Sequence, residues 1–152
     1  MRGLPLLALS LLLGLATFGS NPAVALDPIN NSLFSDIAIH GYDPVAYFNQ
    51  GKPVEGSDAF TFKWKGAVWR FASAADRDAF SASPEKYAPQ FGGYCSWAVS
   101  QGYTADIDPA AWKIVNGKLY LNYDKEIQKK WEANQAANIA AAEANWPGLL
   151  QK

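Results

Sequence analysis

The segment that decides the fold reads FTFKWKGAVWRF and covers residues 60–71. A two-residue loop at Lys65-Gly66 sets three pairs of residues opposite each other: Trp64 and Ala67, Phe62 and Trp69, and Phe60 and Phe71. Aromatic rings then cover one face of the two arms, with the period of two that a half-buried strand requires. Glycine at the loop accepts the positive φ of a tight turn. The segment therefore predicts an antiparallel hairpin with one buried face.

A second hairpin is predicted around Asn116-Gly117, the residue pair preferred in a type I′ turn. This turn sets Ile114 opposite Leu119 and Trp112 opposite Leu121. Because each hairpin has one apolar face, we expect a small antiparallel sheet built from both hairpins and packed on one side. The side chains expected to be buried on that side are Phe62, Trp69, Ile114 and Leu119.

Helices are predicted between and after the hairpins. Ser73 is placed to cap a helix over residues 73–82. A short helix is expected over residues 84–87, with a proline at its first position. A long C-terminal helix should run over residues 124–145 and end at Trp146-Pro147-Gly148. The predicted fold class is α+β, with short helices and a long C-terminal helix packed on the sheet.

Residues 1–25 have the features of a cleaved signal peptide. The stretch 4–18 is almost wholly apolar, and Ala23-Val24-Ala25 matches the small-residue rule for signal peptidase. An apolar run of about 15 residues is shorter than the roughly 20 that span a bilayer. We therefore expect export to the periplasm or an equivalent location, a mature chain over residues 26–152 as a single domain, and no stable membrane insertion after cleavage.

Composition limits the chemistry of the mature chain. The protein has one cysteine, one histidine and a methionine only at Met1, and its net charge is −1. A soft-metal site must therefore use Cys95, His40 or both, and Cys95 has no partner in the chain for a disulfide. No basic patch predicts nucleic-acid binding. The absence of a glycine-rich nucleotide loop and of any recognisable nucleophile signature makes an enzyme the less favoured prediction.

Several short motifs follow one another over residues 41–89: Asp43-Pro44-Val45, Phe71-Ala72-Ser73, Phe80, and Pro84 to Tyr87. In this arrangement the chain resembles the YHS domain, a small module often attached to heavy-metal proteins. Metal-associated relatives have cysteines where this chain has Ala46, Ala72 and Asp76. The resemblance therefore implies an exported YHS subfamily that keeps the fold and lacks the thiolates that bind a soft cation.

Cys95 follows Gly92-Gly93 and admits three interpretations. If a helix begins at Gly93, Cys95 lies in its first turn, where the helix dipole lowers the pKa of a thiol and allows metal binding. Alternatively, Cys95 is a buried, inert side chain, as free cysteines usually are. A third interpretation is redox activity or an intermolecular disulfide.

His40 is the other soft-metal candidate. If His40 and Cys95 meet in the fold, they could form a two-coordinate Cu(I) site. The carboxylates Asp43, Asp106 and Asp108 could complete a harder site, although Asp43 and Asp108 each precede a proline and are first expected to start turns.

The predicted function is that of an exported YHS-like binding module. Its ligand is a small molecule, a periplasmic protein, or a soft metal such as copper. The ligand-binding candidates are Tyr94, Cys95, Asp43 and Tyr47, and the metal candidates are Cys95 and His40. The alternatives are a thiol-dependent redox protein or enzyme that uses Cys95, and a purely structural protein-interaction domain.

Overall fold

The structure is a computed structural model that describes residues 25–32 and 34–152. The predicted signal peptide, apart from Ala25, lies outside these residues. None of the helices in the described ranges is both long and apolar enough to cross a membrane.

Ten regular elements follow one another in the described part of the chain. They are α1 (Ala46–Asn49), β1 (Ser57–Trp64), β2 (Ala67–Phe71), α2 (Ala74–Ala82), α3 (Pro84–Tyr87), α4 (Ser96–Ser100), β3 (Asp108–Val115), β4 (Lys118–Asn122), α5 (Lys125–Ala133) and α6 (Gln135–Leu149). Two tight turns, Ile39–Gly41 and Gln90–Gly93, precede α1 and α4. The α+β class is thus confirmed.

The first hairpin has the predicted turn and most of the predicted register. Trp64 lies opposite Ala67 and Phe62 opposite Trp69, and Lys65 and Gly66 both have positive φ. The outer pair differs from the prediction, because Ser57 and not Phe60 lies opposite Phe71.

A bulge in β1 causes this difference. The register shifts between Ser57 and Thr61, and Asp58 within the bulge forms an ion pair with Arg70. Gly56 makes the approach possible, because a Cβ atom at this position would lie 2.5 Å from the carbonyl carbon of Arg70. Sequence alternation alone cannot indicate a bulge of this kind.

The second hairpin is confirmed in both pairs and in its turn. Ile114 lies opposite Leu119 and Trp112 opposite Leu121. Asn116 and Gly117 have φ values of 51° and 75°, as a type I′ turn requires.

The two hairpins form separate two-stranded sheets in the described chain and do not join into one sheet. The segment 36–38 occupies the outer edge of β2. The Ala38 N–H donates to the Val68 carbonyl at 2.9 Å, and the Val68 N–H donates to the Asp36 carbonyl at 2.6 Å. Because these bonds use the edge groups of β2, a strand of the second hairpin cannot pair there.

Aromatic side chains fill the core between the first hairpin and α2. Phe80 lies at the centre, with four other rings around it: Phe62, Trp64, Trp69 and Phe71. Of the four side chains predicted to be buried, Trp69 and Leu119 are fully buried. Phe62 and Ile114 are only half-buried and pack against the buried core cluster.

The helix caps follow the sequence prediction, and the predicted long C-terminal helix is present as α6, with bounds that differ from the prediction. Ser73 caps α2 by accepting a hydrogen bond from the Asp76 N–H at 3.1 Å. The single helix predicted from Asp124 is instead two helices, α5 and α6, that meet at the non-helical residue Asn134. The side chain of Asn138 donates to the Trp131 carbonyl at 2.9 Å and so replaces a backbone bond at the break. Pro147, predicted to end the helix, lies in the last turn of α6.

Trp69→Ala should lower the free energy of unfolding by about 3–5 kcal/mol, because it leaves a large cavity between Trp64 and Phe80. Urea unfolding followed by circular dichroism measures the change. Phe34→Ala is the control: Phe34 is fully exposed, and its loss should alter stability by less than about 0.5 kcal/mol. Equal effects of the two substitutions would contradict the assignment of the core.

Candidate functional site

A strained turn at Ile39–Gly41 positions the histidine. The three residues have φ values of 40°, 58° and 79°. Positive φ is unfavourable for a β-branched residue such as Ile39, and strain of this kind costs about 1–3 kcal/mol. Burial of the Ile39 side chain offsets the strain. It packs so closely on Gly93 that a Cβ atom there would lie 2.5 Å from the Ile39 Cγ2. The turn therefore places Ile39 in the core and His40 at the surface.

The imidazole of His40 is held by Asp106. His40 Nε2 lies 2.7 Å from Asp106 Oδ1, which also accepts hydrogen bonds from Asn30 Nδ2 at 3.0 Å and the Ile107 N–H at 2.8 Å. Burial acts to raise the pKa of Asp106, but the hydrogen bonds from Asn30 and His40 outweigh it and lower the pKa. An ionised carboxylate only accepts hydrogen bonds, so Nε2 carries the proton. In the neutral form of the ring, Nδ1 is then the hydrogen-bond acceptor.

The His40–Asp106 pair lies in the wall of a cavity of about 720 Å³. The walls contain apolar, aromatic and polar side chains together with main chain: Ala25, Leu26, Asp27, Asn30, Asn31, Ser32, Phe34, His40, Tyr94, Thr104, Ala105 and Asp106. Among these lining residues there are two carboxylates and no lysine or arginine. The cavity is therefore acidic as well as partly aromatic.

Tyr94 forms one side of this cavity. Its hydroxyl group donates to the Asp27 carbonyl at 3.1 Å. Burial, followed by the negative charges of Asp27 and Asp106, raises the pKa of the phenol. Tyr94 therefore stays neutral, and its ring lies in the negative field of both carboxylates.

Cys95, the residue after Tyr94, lies in a different environment. It is 1 % exposed, and its Sγ donates to Asn122 Oδ1 at 3.8 Å. The same oxygen accepts the Trp97 N–H at 3.1 Å. The thiol lines a smaller cavity of about 200 Å³, whose other walls are Trp97, Ala98, Tyr103, Ala105, Tyr123 and Ile127.

The expectation of a lowered thiol pKa at Cys95 is wrong. The helix begins at Ser96 and not at Gly93, and it has only five residues, so its dipole is short. Burial raises the pKa of the Cys95 thiol despite hydrogen bonds from nearby backbone N–H groups. The structure thus agrees with the alternative of a buried, protonated side chain.

The structure places the two soft-metal candidates in different cavities. His40 lines the larger cavity and is paired with Asp106, whereas Cys95 lines the smaller one and contacts Asn122. Ala105 is a wall residue of both. Within the described ranges, no three or more His, Cys, Asp or Glu residues are grouped as a metal site would need. Copper binding by Cys95 and His40 stays a prediction.

Asp43 and Tyr47, the other two ligand-binding candidates, are internal residues that line neither cavity. Asp43 Oδ1 accepts the Val45 N–H at 2.8 Å, which confirms the predicted turn at Asp43-Pro44. The Tyr47 hydroxyl donates to the Pro109 carbonyl at 2.8 Å. Both side chains therefore connect segments of the fold.

Two asparagines were not identified from the sequence. Asn30 connects Asp106 to the Gly93 carbonyl, and Asn122 connects Cys95 to α4. Each amide forms hydrogen bonds with residues that are distant in the sequence, so no local motif indicates its role. The sequence indicates Asp106 only as one of three carboxylates that could complete a harder metal site, because nothing in the spacing links it to His40.

Cys95 in the native protein should react with a thiol probe at least about tenfold more slowly at pH 7 than in urea, since burial and a raised pKa both reduce the exposed thiolate. Mass spectrometry of the labelled fraction over time measures the rate. The protein in urea is its own control. Equal native and unfolded rates would show that the thiol is accessible.

Comparison of the chain with protein-family models, curated proteins and solved structures finds no match. The function of the chain is therefore inferred from the geometry of its two cavities.

Proposed function

We propose that the chain is an exported, YHS-like binding module that takes a small organic cation in the cavity beside His40, Asp106 and Tyr94. The observation that carries the proposal is the lining of that cavity, which has two carboxylates, aromatic rings and no cationic lysine or arginine. A positively charged ligand with an apolar part matches such a surface in both charge and polarity. Export and the YHS family belong to the proposal.

The carboxylates supply the charge complementarity. Asp106 is kept ionised by the hydrogen bonds to its Oδ1, which come from Asn30, His40 and the Ile107 N–H. Its second oxygen can accept from an ammonium group or attract a quaternary one. Asp27 lies in the same wall and adds a second negative charge. A ligand carboxylate or phosphate would instead be repelled here.

The aromatic and apolar walls supply the remaining affinity. Tyr94 stays uncharged because burial and the neighbouring carboxylates raise the pKa of its phenol. The ring of this neutral phenol can attract a cation through its π face, an interaction worth about 0.5–2 kcal/mol. Leu26 and Phe34 offer apolar surface to the rest of the ligand.

The positions of the missing cysteines support the YHS part of the proposal. The backbone N–H groups of Ala46 and Ala72 both donate to the Asp43 carboxylate, and Asp76 acts on the same carboxylate electrostatically. Three positions that the resemblance equates with thiolates thus surround one point in space. That clustering is what a shared fold with an altered site would give.

Benzyltrimethylammonium should bind with a Kd near or below about 1 mM, which corresponds to about −4 kcal/mol. Benzoate, with the same ring and the opposite charge, should not bind. Asp106→Asn should weaken binding at least about tenfold, because an asparagine Oδ1 can keep the three hydrogen bonds while the charge is lost. Calorimetric titration measures the affinities, and NMR shifts of residues around Tyr94 locate the probe.

Glu126→Gln is the matched control for charge. Glu126 is on the surface of α5, paired with Lys129, and does not line the cavity, so its variant should bind the probe as the unmodified protein does. Equal binding of benzoate, or full affinity in Asp106→Asn, would reject the proposal. A protein that binds none of the probes would favour the interaction-domain alternative.

Soft-metal binding at Cys95 is the second proposal, supported by the cavity that its sulfur lines. Cu(I) should then protect Cys95 from a thiol probe and raise the Tm, and Cys95→Ser should abolish the rise. His40→Ala should reduce the protection if imidazole is the second ligand. An unchanged Tm and unchanged labelling on addition of Cu(I) would reject this proposal.

A further inference from the structure

We propose that a groove separate from the cavity beside His40 binds a proline-rich peptide segment that carries acidic residues. The groove has a volume of about 370 Å³, and none of its lining residues lines the larger cavity. Residues from the ends of both hairpins, from the turn Gln90–Gly93 and from the end of α6 form its walls. Peptide binding here therefore does not depend on the proposed cation site.

Two half-buried tryptophans contribute to the apolar walls of the groove. Trp64 packs edge-on against Phe80 in the core of the first hairpin, with a centroid distance of 5.8 Å. Trp146 on α6 packs edge-on against Phe91, with a centroid distance of 6.0 Å. Because each indole is supported by a different part of the core, both rings keep their positions without a ligand. Aromatic-lined grooves of this kind are the surfaces on which polyproline II helices dock.

A backbone contact fixes two of the other segments that line the groove. The Asn30 N–H donates to the Gly92 carbonyl at 2.8 Å. At Gly92 a Cβ atom would collide with the Pro28 carbonyl oxygen, so only glycine allows the two segments to approach this closely. Pro28 and the buried Pro89 add further apolar surface to the walls. The groove is therefore preformed, which lowers the entropic cost of binding.

The polar side chains of the groove are mainly hydrogen-bond donors. An indole N–H and a lysine ammonium can only donate, and the groove has two of each, from Trp64, Trp146, Lys65 and Lys118. Gln90 both donates and accepts, and Glu85 is the one carboxylate among the lining residues. A matching ligand is therefore rich in acceptors and poor in donors. A proline residue meets this requirement, because it keeps its carbonyl group and has no backbone N–H.

The charge of the groove favours acidic residues next to the prolines. Lys65 Nζ lies 4.4 Å from the ring centroid of Trp64, which holds this ammonium beside the indole. Lys118 is paired with Glu143 at 3.7 Å, and both side chains are half-exposed. Two lysines against the single carboxylate of Glu85 leave the lining with an excess of one positive charge. The larger cavity has two carboxylates and no lysine, so the two sites favour ligands of opposite charge.

A saccharide is the main competing class of ligand, because sugar rings can also stack on indoles. Its hydroxyl groups, however, both donate and accept. A neutral sugar also gains no charge complementarity from the two lysines. The excess of donors and of positive charge in the lining therefore favours the acidic, proline-rich peptide.

A peptide of six prolines followed by two glutamates, acetylated and amidated at its ends, should bind with a Kd of about 1 mM or lower. Lysines in place of the glutamates should weaken binding at least about threefold, because the charges then repel. Alternating glycine and serine in place of the prolines should abolish measurable binding, because the preformed polyproline II conformation is lost. Calorimetric titration at low ionic strength measures the affinities, and NMR shifts of Gln90 and Lys118 locate the peptide.

Two substitutions test the walls of the groove. Trp146→Phe keeps an aromatic ring and removes the indole N–H, and it should weaken binding of the acidic proline peptide at least about threefold. Lys118→Gln should weaken binding of the same peptide and leave that of an uncharged peptide of eight prolines unchanged. Trp112→Phe and Lys129→Gln are the matched controls, because neither residue lines the groove, and both variants should bind as the unmodified protein does.

The peptide series on the unmodified protein does not depend on the folding of a variant. Absence of binding by the acidic proline peptide, or equal binding of the glycine-serine peptide, would overturn the proposal. Full affinity in Trp146→Phe would also overturn it. Cellohexaose is the saccharide probe, and its binding in place of the proline peptide would assign the groove to a sugar and reject the peptide.

Discussion

The three hydrogen bonds to the Asp43 carboxylate organise the first half of the molecule. A buried carboxylate is expensive in free energy unless donors surround it, so the backbone around Asp43 must adopt the one arrangement that presents those donors. That arrangement brings the start of α1 against the end of β2. It also orients the N–H of Asp43 itself toward the Val54 carbonyl at 2.8 Å, which holds the chain before β1. The Asp43 side chain thereby holds a loop, a strand and a helix in contact with one another.

The geometry of the candidate ligand cavity depends on these contacts of Asp43. The strained turn at Ile39–Gly41 is held on one side by the bond from Ala38 to β2 and on the other by Asp43. With both ends held and Ile39 buried, the turn cannot relax to an unstrained conformation. His40 is therefore presented to Asp106 by a rigid support, as binding residues on loops generally require.

The second half of the molecule is built on a separate aromatic cluster. Trp131, Tyr120 and Phe91 pack with residues of α6 and form the support for the segment that contains Tyr94 and Cys95. Asn145 on α6 donates to the carbonyls of Val99 and Ser100 at the end of α4. These contacts fix α4 against α6, while Cys95, which precedes α4, is buried in the first core cluster beside Asn122 and Ile127.

Local interactions are the part of this protein that its sequence determined by itself. The hairpin turns at Lys65-Gly66 and Asn116-Gly117 and the cap at Ser73 involve residues within a few positions of each other, where conformational preferences decide the outcome. Only the tertiary structure decided the rest. The edge of β2 is taken by residues 36–38, and His40 meets Asp106 across 66 positions of sequence.

The physical reason is that such long-range pairings depend on how whole segments pack. The residues next to each partner in the sequence therefore do not predict them. The break at Asn134 shows the same limit: residues on both sides form helices, and α5 is bonded to β3 through Gln128 whereas α6 is bonded to α4 through Asn145. The environment of Cys95 is the clearest case. Its glycine-rich approach predicts an activated thiol, but residues of β4 and α5 that surround it lie downstream in the chain, and burial raises the thiol pKa more than the backbone hydrogen bonds lower it.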